Sequence, residues 1–384
     1  MPHPIKNPAT NGHGAATPVM PGAADPPPQA PGDVAAIVDL GSASACVMVV
    51  RRSGRSGFDV LARAKAPLRL AASLDASGRL GPAAIERTVE AFGRFAALMS
   101  RHGVQPASAA VCAVATEALR QAHDAPALCA AVEAATGIRI AVIDGATEGA
   151  LVFTGMRMQW RRGALLGLDI GGGSTELVYG EGRAPKRILS LPIGALVASR
   201  RLGLGDDAVS QTQLDAARAA IDEVVAAPVA AFGAGLSLGA LASAGRAIGT
   251  SGSIQRIASA IAAQRVAHSG SSEQTRAPLA GPAGSADIVP SIDRLPLTLA
   301  DLRALMAALA QRDREERLRL PGMDPGRVDS LLAGAIVLER VTVAARIDCW
   351  RVGLSGLRNG LCAVALGRAE DWRRPTAAGP SPLS

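Results

Sequence analysis

The chain has 384 residues, room for about two domains at the usual 100–200 residues each, and its 48% apolar content is ample for buried cores. Aromatic residues are only 2% of it, which argues against the stacking platforms of single-stranded nucleic-acid binders. The formal net charge of +7 is almost wholly arginine, since lysine occurs only at Lys6, Lys65 and Lys186, and guanidinium groups suit a polyanionic phosphate partner.

Residues 1–32 hold nine prolines, too little apolar surface to offset the entropy of ordering, and are expected to form a disordered tail. They lack a basic segment followed by an apolar one, so no signal peptide is expected. A first lobe is expected over 33–160. Its strands are predicted at 35–40, 45–51 and 58–65, with short buried strands at 109–115 and 138–143. Helices are predicted at 82–102, where Ile85, Val89, Phe92, Phe95, Ala96 and Met99 fall at helical spacing, and at 124–136 and 148–159. A second lobe is expected over 161–368, opening with a strand at 164–170 and continuing into a helix at 211–227. The uncharged stretch from Val224 to Gly245 is long enough to span a bilayer, but Pro228 and several glycines interrupt it. It reads as a helix end, a loop and a buried strand, and no membrane association is expected. Next, Ile248-Gly249-Thr250-Ser251-Gly252-Ser253-Ile254 forms a glycine turn leading into a helix. The Ser-, Gly-, Ala- and Pro-rich segment 267–290 is expected to be a flexible insert. Helices resume at 298–312 and 326–345. A strand at 349–354 leads to a closing helix, 356–366, either part of the second lobe or packed back on the first. Residues 369–384 are expected to be a loose tail. Strands alternating with helices in two copies predict an α/β fold of two related lobes.

One device occurs twice. Ala36-Ile37-Val38-Asp39-Leu40-Gly41-Ser42-Ala43-Ser44 is an apolar run, an Asp and a small-residue turn, followed by the apolar run Cys46–Val50. Gly167-Leu168-Asp169-Ile170-Gly171-Gly172-Gly173-Ser174-Thr175 repeats the pattern before Leu177-Val178-Tyr179. A strand–turn–strand tip of this kind exposes backbone N–H groups in a concave set suited to phosphate. There is no Gly-Lys-Ser/Thr, and consecutive glycines followed by a strand exclude a dinucleotide fingerprint. The candidate phosphate-binding residues are Gly41, Ser42 and Ser44 in the first turn, and Gly171, Gly172, Gly173, Ser174 and Thr175 in the second. Asp39, Asp169 and Glu176 suit a hard divalent cation, Mg2+ or another. The five cysteines, at 46, 112, 129, 349 and 362, form no CxxC pair, which fits reduced thiols in a cytoplasmic setting. The five histidines are scattered without metal-ligand spacing, so no zinc site is expected.

With these residues in view, the chain resembles the exopolyphosphatase / guanosine pentaphosphate phosphohydrolase family of the actin–hexokinase–sugar kinase superfamily. Asp169-Ile170-Gly171-Gly172-Gly173-Ser174-Thr175-Glu176-Leu177 carries most of the resemblance. Val38–Ser44, Ala115-Thr116-Glu117-Ala118-Leu119-Arg120, Ile143–Glu148, Gly249–Ser253, Leu331–Ala335 and Gly356–Leu361 match further segments in order, over roughly 34–366. The resemblance implies two actin-like, ribonuclease H-like lobes with a cleft between them. It implies Glu148 as the general base, Arg120 as a phosphate-holding residue, and Asp39, Asp169 and Glu176 as the magnesium carboxylates. It also places Gly249 and Gly252 in a third phosphate turn. The chain departs from the family pattern at Ala43, Cys46, Gly149, Ala150 and Asn359.

The function expected on this footing is metal-assisted hydrolysis of a terminal phosphoryl group from inorganic polyphosphate or a guanosine pentaphosphate. A polyphosphate- or alarmone-binding regulatory protein with little hydrolysis is the alternative. A nucleotide-dependent kinase is a third reading, for which no adenosine-pocket motif is present. The sequence leaves a monomer and a homodimer equally open.

Overall fold

Two sheets organise the chain, and both are built the same way. The computed structural model describes residues 33–54, 57–269 and 291–367. The expected tails, 1–32 and 369–384, and residues 270–290 of the expected insert lie outside the described residues. The first lobe's elements are β1 (Val34–Leu40), β2 (Ala45–Ser53), β3 (Gly57–Ala66), α1 (Leu70–Ser73), α2 (Pro82–Arg101), β4 (Val111–Ala115), α3 (Glu117–Gln121), α4 (Ala125–Thr136) and β5 (Ile140–Val142). Next come α5 (Gly145–Gln159), β6 (Leu165–Ile170), β7 (Thr175–Gly180), β8 (Arg187–Leu191), α6 (Ala195–Leu202), α7 (Gln211–Gly233), α8 (Leu238–Ser243), β9 (Ala247–Thr250) and α9 (Gly252–Ser269). The chain closes with β10 (Pro296–Thr298), α10 (Leu299–Ala310), α11 (Arg314–Leu318), α12 (Val328–Ala344), β11 (Cys349–Val352) and α13 (Leu357–Ala365).

In the first sheet the order is β3-β2-β1-β4-β5, and in the second it is β10-β11-β9-β6-β7-β8. Each begins with an antiparallel meander, β1–β2–β3 or β6–β7–β8. Each then adds parallel strands on the other side of the first strand: β4 and β5, or β9 and β11. Strand β10 extends the second sheet as an antiparallel edge. The fold is therefore α/β, with two actin-like lobes of duplicated topology. The central strands β1, β6 and β7 are buried along nearly their whole length, as expected of strands covered on both faces.

Helices cover both faces of each sheet. Phe92, Phe95 and Met99 of α2 and Leu128 and Val132 of α4 form the outer core of the first lobe. Helices α7, α9, α10 and α12 do the same for the second, around Ile221, Ile257, Leu305, Leu332 and Trp350. On the inner faces the helices change partners. Leu361, Cys362 and Val364 of α13, the last helix, pack on Ala35, Ile37 and Val114 of the first sheet. Val152, Phe153 and Met156 of α5 pack on Leu165, Val178 and Ile248 of the second. The two helices also lie against each other, with Gly155 seated at the Gly356 carbonyl and Gly360 at the Leu151 carbonyl.

One expectation is corrected. Helix α7 does not stop near 227 but runs through Pro228 to Gly233, and α8 stands where a buried strand was expected. The apolar stripe explains it: Leu214, Ala217, Ile221, Val225, Val229 and Phe232 keep helical spacing across the proline, so continued burial outweighs one missing hydrogen bond. Among the described residues no helix is long and apolar enough to cross a membrane.

Candidate active site

Both glycine turns sit at the tips of hairpins and face each other. Register pairs Asp39 with Cys46 across β1–β2, and Asp169 with Glu176 across β6–β7. The rows continue to Lys65 on β3 and Ser190 on β8. Each turn closes on itself: the Gly41 N–H donates to the Ser44 carbonyl at 3.1 Å, and the Gly171 N–H to the Ser174 carbonyl at 2.9 Å. A Cβ on Gly173 would lie 2.5 Å from Ser42 Oγ and 2.7 Å from Glu117 Cβ, so only glycine lets the second tip approach the first lobe this closely. The first amides of α6 hold the second turn from behind, Ala195 N donating to the Gly171 carbonyl at 2.9 Å and Leu196 N to the Gly172 carbonyl at 3.0 Å. Across a trans peptide the N–H points opposite the C=O, so the amides of Gly172 and Gly173 turn away from α6.

Glu148 comes from the first turn of α5, which Asp144 caps by accepting from Thr147 N at 2.7 Å. Its Oε2 accepts from Arg120 Nη1 at 2.8 Å. The same guanidinium donates to the Ile143 carbonyl at 2.8 Å, through Nε to Glu117 Oε2 at 2.8 Å, and through Nη2 to Ser174 Oγ at 3.4 Å. Gln121 Nε2 steadies Glu117 from its other oxygen at 2.6 Å. Arg120 thus ties the carboxylate of one lobe to the turn of the other. Its donors are largely engaged by Glu117, Glu148 and Ile143, with Nη2 left toward Ser174 at the meeting of the turns.

Four carboxylates crowd this spot. Burial pushes Asp169 up to about 7, with repulsion from Glu148 and Asp39 adding to it. Burial also raises Glu148 to about 7, against the pull of Arg120. Glu176 is raised well above its ordinary value by burial and by Glu148 and Asp169, although Ser174 and Ser190 hydroxyls donate to it. Asp39 is raised by burial, opposed by Arg358, Arg327, Lys65 and Arg63. Such a crowd of oxygen donors calls for a cation. Among the described residues no three carboxylate, imidazole or thiol groups close into a ready-made metal cage. Mg2+ is commonly held by one or two carboxylates, waters and substrate phosphates, and Asp39, Asp169 and Glu176 fit that looser arrangement rather than a three-ligand set.

The remaining expected residues divide. Ser42 and Ser174 are buried at the meeting of the turns, and Ser44 closes the first of them. The Thr175 hydroxyl instead donates to the Ile193 carbonyl at 2.5 Å with the residue wholly buried, so it braces the hairpin. Gly249 lies inside β9, where a Cβ would come 3.1 Å from Ile254 Cδ1; its smallness serves packing. Gly252 opens α9, with Arg327 Nη2 3.5 Å from where its Cβ would be.

Sequence reasoning missed Glu117 and three cations. Arg358 of α13 places Nε 3.9 Å from Asp39 Oδ2 and donates from Nη1 to Cys46 Sγ at 3.5 Å. Arg327 and Lys65 share its field: the Lys65 ammonium is pushed down by burial, then by Arg327 and Arg358. Lys65 was legible as the residue that alternation puts in register with Cys46, whereas Arg327 and Arg358 arrive from distant segments.

A model of the Ppx/GppA phosphatase family matches residues 48–369. Over 338 residues the chain is 29% identical to exopolyphosphatase 1 of Mycobacterium leprae (strain TN), covering 87% of this chain and 90% of that protein. The Aquifex aeolicus member of the Ppx/GppA family superposes with a TM-score of 0.65 at 21% identity, over 88% of this chain and 99% of that one. An exopolyphosphatase from Cytophaga hutchinsonii gives a TM-score of 0.66 at 21% identity, over 87% of this chain and 98% of that one. On the family match and the shared fold, the chain belongs to the Ppx/GppA phosphatase family.

Proposed function

We propose that the chain is an exopolyphosphatase that hydrolyses the terminal phosphoanhydride bond of inorganic polyphosphate. The observation that carries the reading is the placing of Glu148, held by Arg120 where two phosphate turns meet among Asp39, Asp169 and Glu176. The terminal phosphate would sit between the turns, against the amides of Gly172 and Gly173 and the hydroxyls of Ser42 and Ser174. One or two of Asp39, Asp169 and Glu176, with waters and substrate phosphate, would hold Mg2+, which when bound supplies charge neutralisation at the phosphate oxygens. Glu148 takes a proton from a water placed in line with the bond to be cleaved, and Arg120 fixes the carboxylate in that line. A carboxylate near 7 is matched to taking a proton at neutral pH. Arg358, Arg327 and Lys65 line the approach beside Asp39 and suit the phosphates that follow.

The test offers purified protein with Mg2+ long-chain polyphosphate and guanosine pentaphosphate in parallel and measures released orthophosphate. Release from polyphosphate is expected, and Glu148→Gln should lower it by about 10²–10⁴-fold, the usual worth of a general base, with the fold and polyphosphate binding retained. Tight polyphosphate binding without any release would replace this reading with a regulatory binding protein.

A further inference from the structure

The end of the second sheet where β6 and β9 start carries a feature that the reaction does not use. Loops before β6, β9 and β10 converge there on a concavity of about 430 Å3. Its lining includes Arg162, Arg246 and Arg294 beside Trp160, with no acidic residue among the described residues that line it. Arg246 Nη1 fixes one wall by donating to the Arg162 carbonyl at 2.6 Å. Arg157 secures the floor, donating to the Trp160 carbonyl at 3.0 Å and the Gly180 carbonyl at 2.7 Å. Arg351 of β11 donates to the Arg294 carbonyl at 3.4 Å. The neighbouring Asp293 stands 4.0 Å from Arg294 Nε and accepts from Gln159 Nε2 at 2.6 Å, so it answers little of this charge. Four residues of β6 separate this end from Asp169, about 13 Å of strand.

Guanidinium groups gathered on one surface form a positive patch that attracts a polyanion. Arginine meets phosphate oxygens in pairs, and the shallow, open concavity leaves room for an extended chain to lie across it. We propose that this basin is a second, non-catalytic site for condensed phosphate, a chain of linked phosphate groups. The ligand class stands on the arginines, and its connection to turnover rests on the function proposed above. The ligand is either the far stretch of the chain being shortened or a separate molecule, and the chemistry of recognition is the same.

The test compares Glu148→Gln protein with the same protein carrying Arg162→Gln and Arg294→Gln, both exposed side chains. Binding of end-labelled long-chain polyphosphate is titrated over a salt series, and KM and kcat are measured with tripolyphosphate and long chains in the Glu148 background. Losing two phosphate contacts should weaken long-chain binding about tenfold and flatten its salt dependence, with kcat unchanged. If the basin holds the far part of the same chain, the loss appears only above a threshold chain length. If it holds a separate molecule, tripolyphosphate binds at a second site that the double variant lacks. Unchanged affinity at every chain length overturns the proposal, as does equal binding of single-stranded DNA, which would mark an unselective basic surface. Should the double variant melt early, Arg162→Gln alone carries the comparison. Binding is read without turnover, so an unused basin and a chain that does not hydrolyse polyphosphate give different results.

Discussion

Glu148 must be ionised to accept a proton, and burial opposes that. In the folded protein it titrates at about 7 against 4.5 for an exposed glutamate. The rate at limiting substrate should therefore climb with pH up to about 7 and then level off, and a profile of kcat/KM measured from pH 5 to 9 checks this. Stability runs the other way. Asp169 and Glu176 are raised along with Glu148, so the folded state binds more protons than the unfolded one between the ordinary carboxylate range and about 7. Stability without a divalent cation should accordingly fall as pH rises through that window, and added Mg2+ should restore it. Melting curves at pH 5 and 7.5, with and without Mg2+, give the answer; a midpoint that rises with pH and ignores Mg2+ would sink the idea. At this scale the sequence disclosed what local chemistry dictates. Asp39, Asp169 and the glycines were legible because a turn needs those residue types, and Glu148 because a resemblance pointed to it. Glu117 and Arg358 were not, since each acquires its role from a partner elsewhere in the fold.

Among the elements, short α11 shows how a buried charge can organise loops. Asp313 and Glu316 box its start, and Arg317 is wholly buried. Its guanidinium donates to four carbonyls: Leu309 at 2.9 Å, Leu204 at 3.1 Å, Gly205 at 2.8 Å and Asp207 at 2.8 Å. These pin the segment between α6 and α7. Arg317→Met should cost about 3 kcal/mol, because buried carbonyls lose charge-assisted partners, and chemical denaturation would register it. The long helices α2, α10 and α12 were legible from apolar periodicity. Strand β8 was not, because it is partly exposed along most of its length and shows no alternation. The end of α7 was misjudged for the opposite reason: a proline argues locally for a stop, while Val229 and Phe232 argue through tertiary burial for continuing.

Over the whole molecule, function depends on how closely the two lobes approach. Gly173→Ala would press a methyl against Ser42 and Glu117 and hold the turns apart. Overpacking of this kind costs about 1–3 kcal/mol, expected here as a lower kcat/KM with a nearly unchanged melting midpoint, since each core keeps its packing. A variant with full activity would show that the turns need not close. The duplication into two related lobes was legible in the sequence, and α13 packing back on the first lobe was one of the two readings left open; contacts more than 300 positions apart, such as Leu361 with Ile37, leave no local pattern to decide it. The exchange of α5 and α13 between sheets has a mechanical result. Gly155 and Gly360 bring α5 and α13 together backbone to backbone, and Leu151 of α5 packs with Leu361 of α13 beside the crossing. A side chain larger than glycine at either position would meet a carbonyl and push the helices apart, so the spacing of the two halves is set at this crossing.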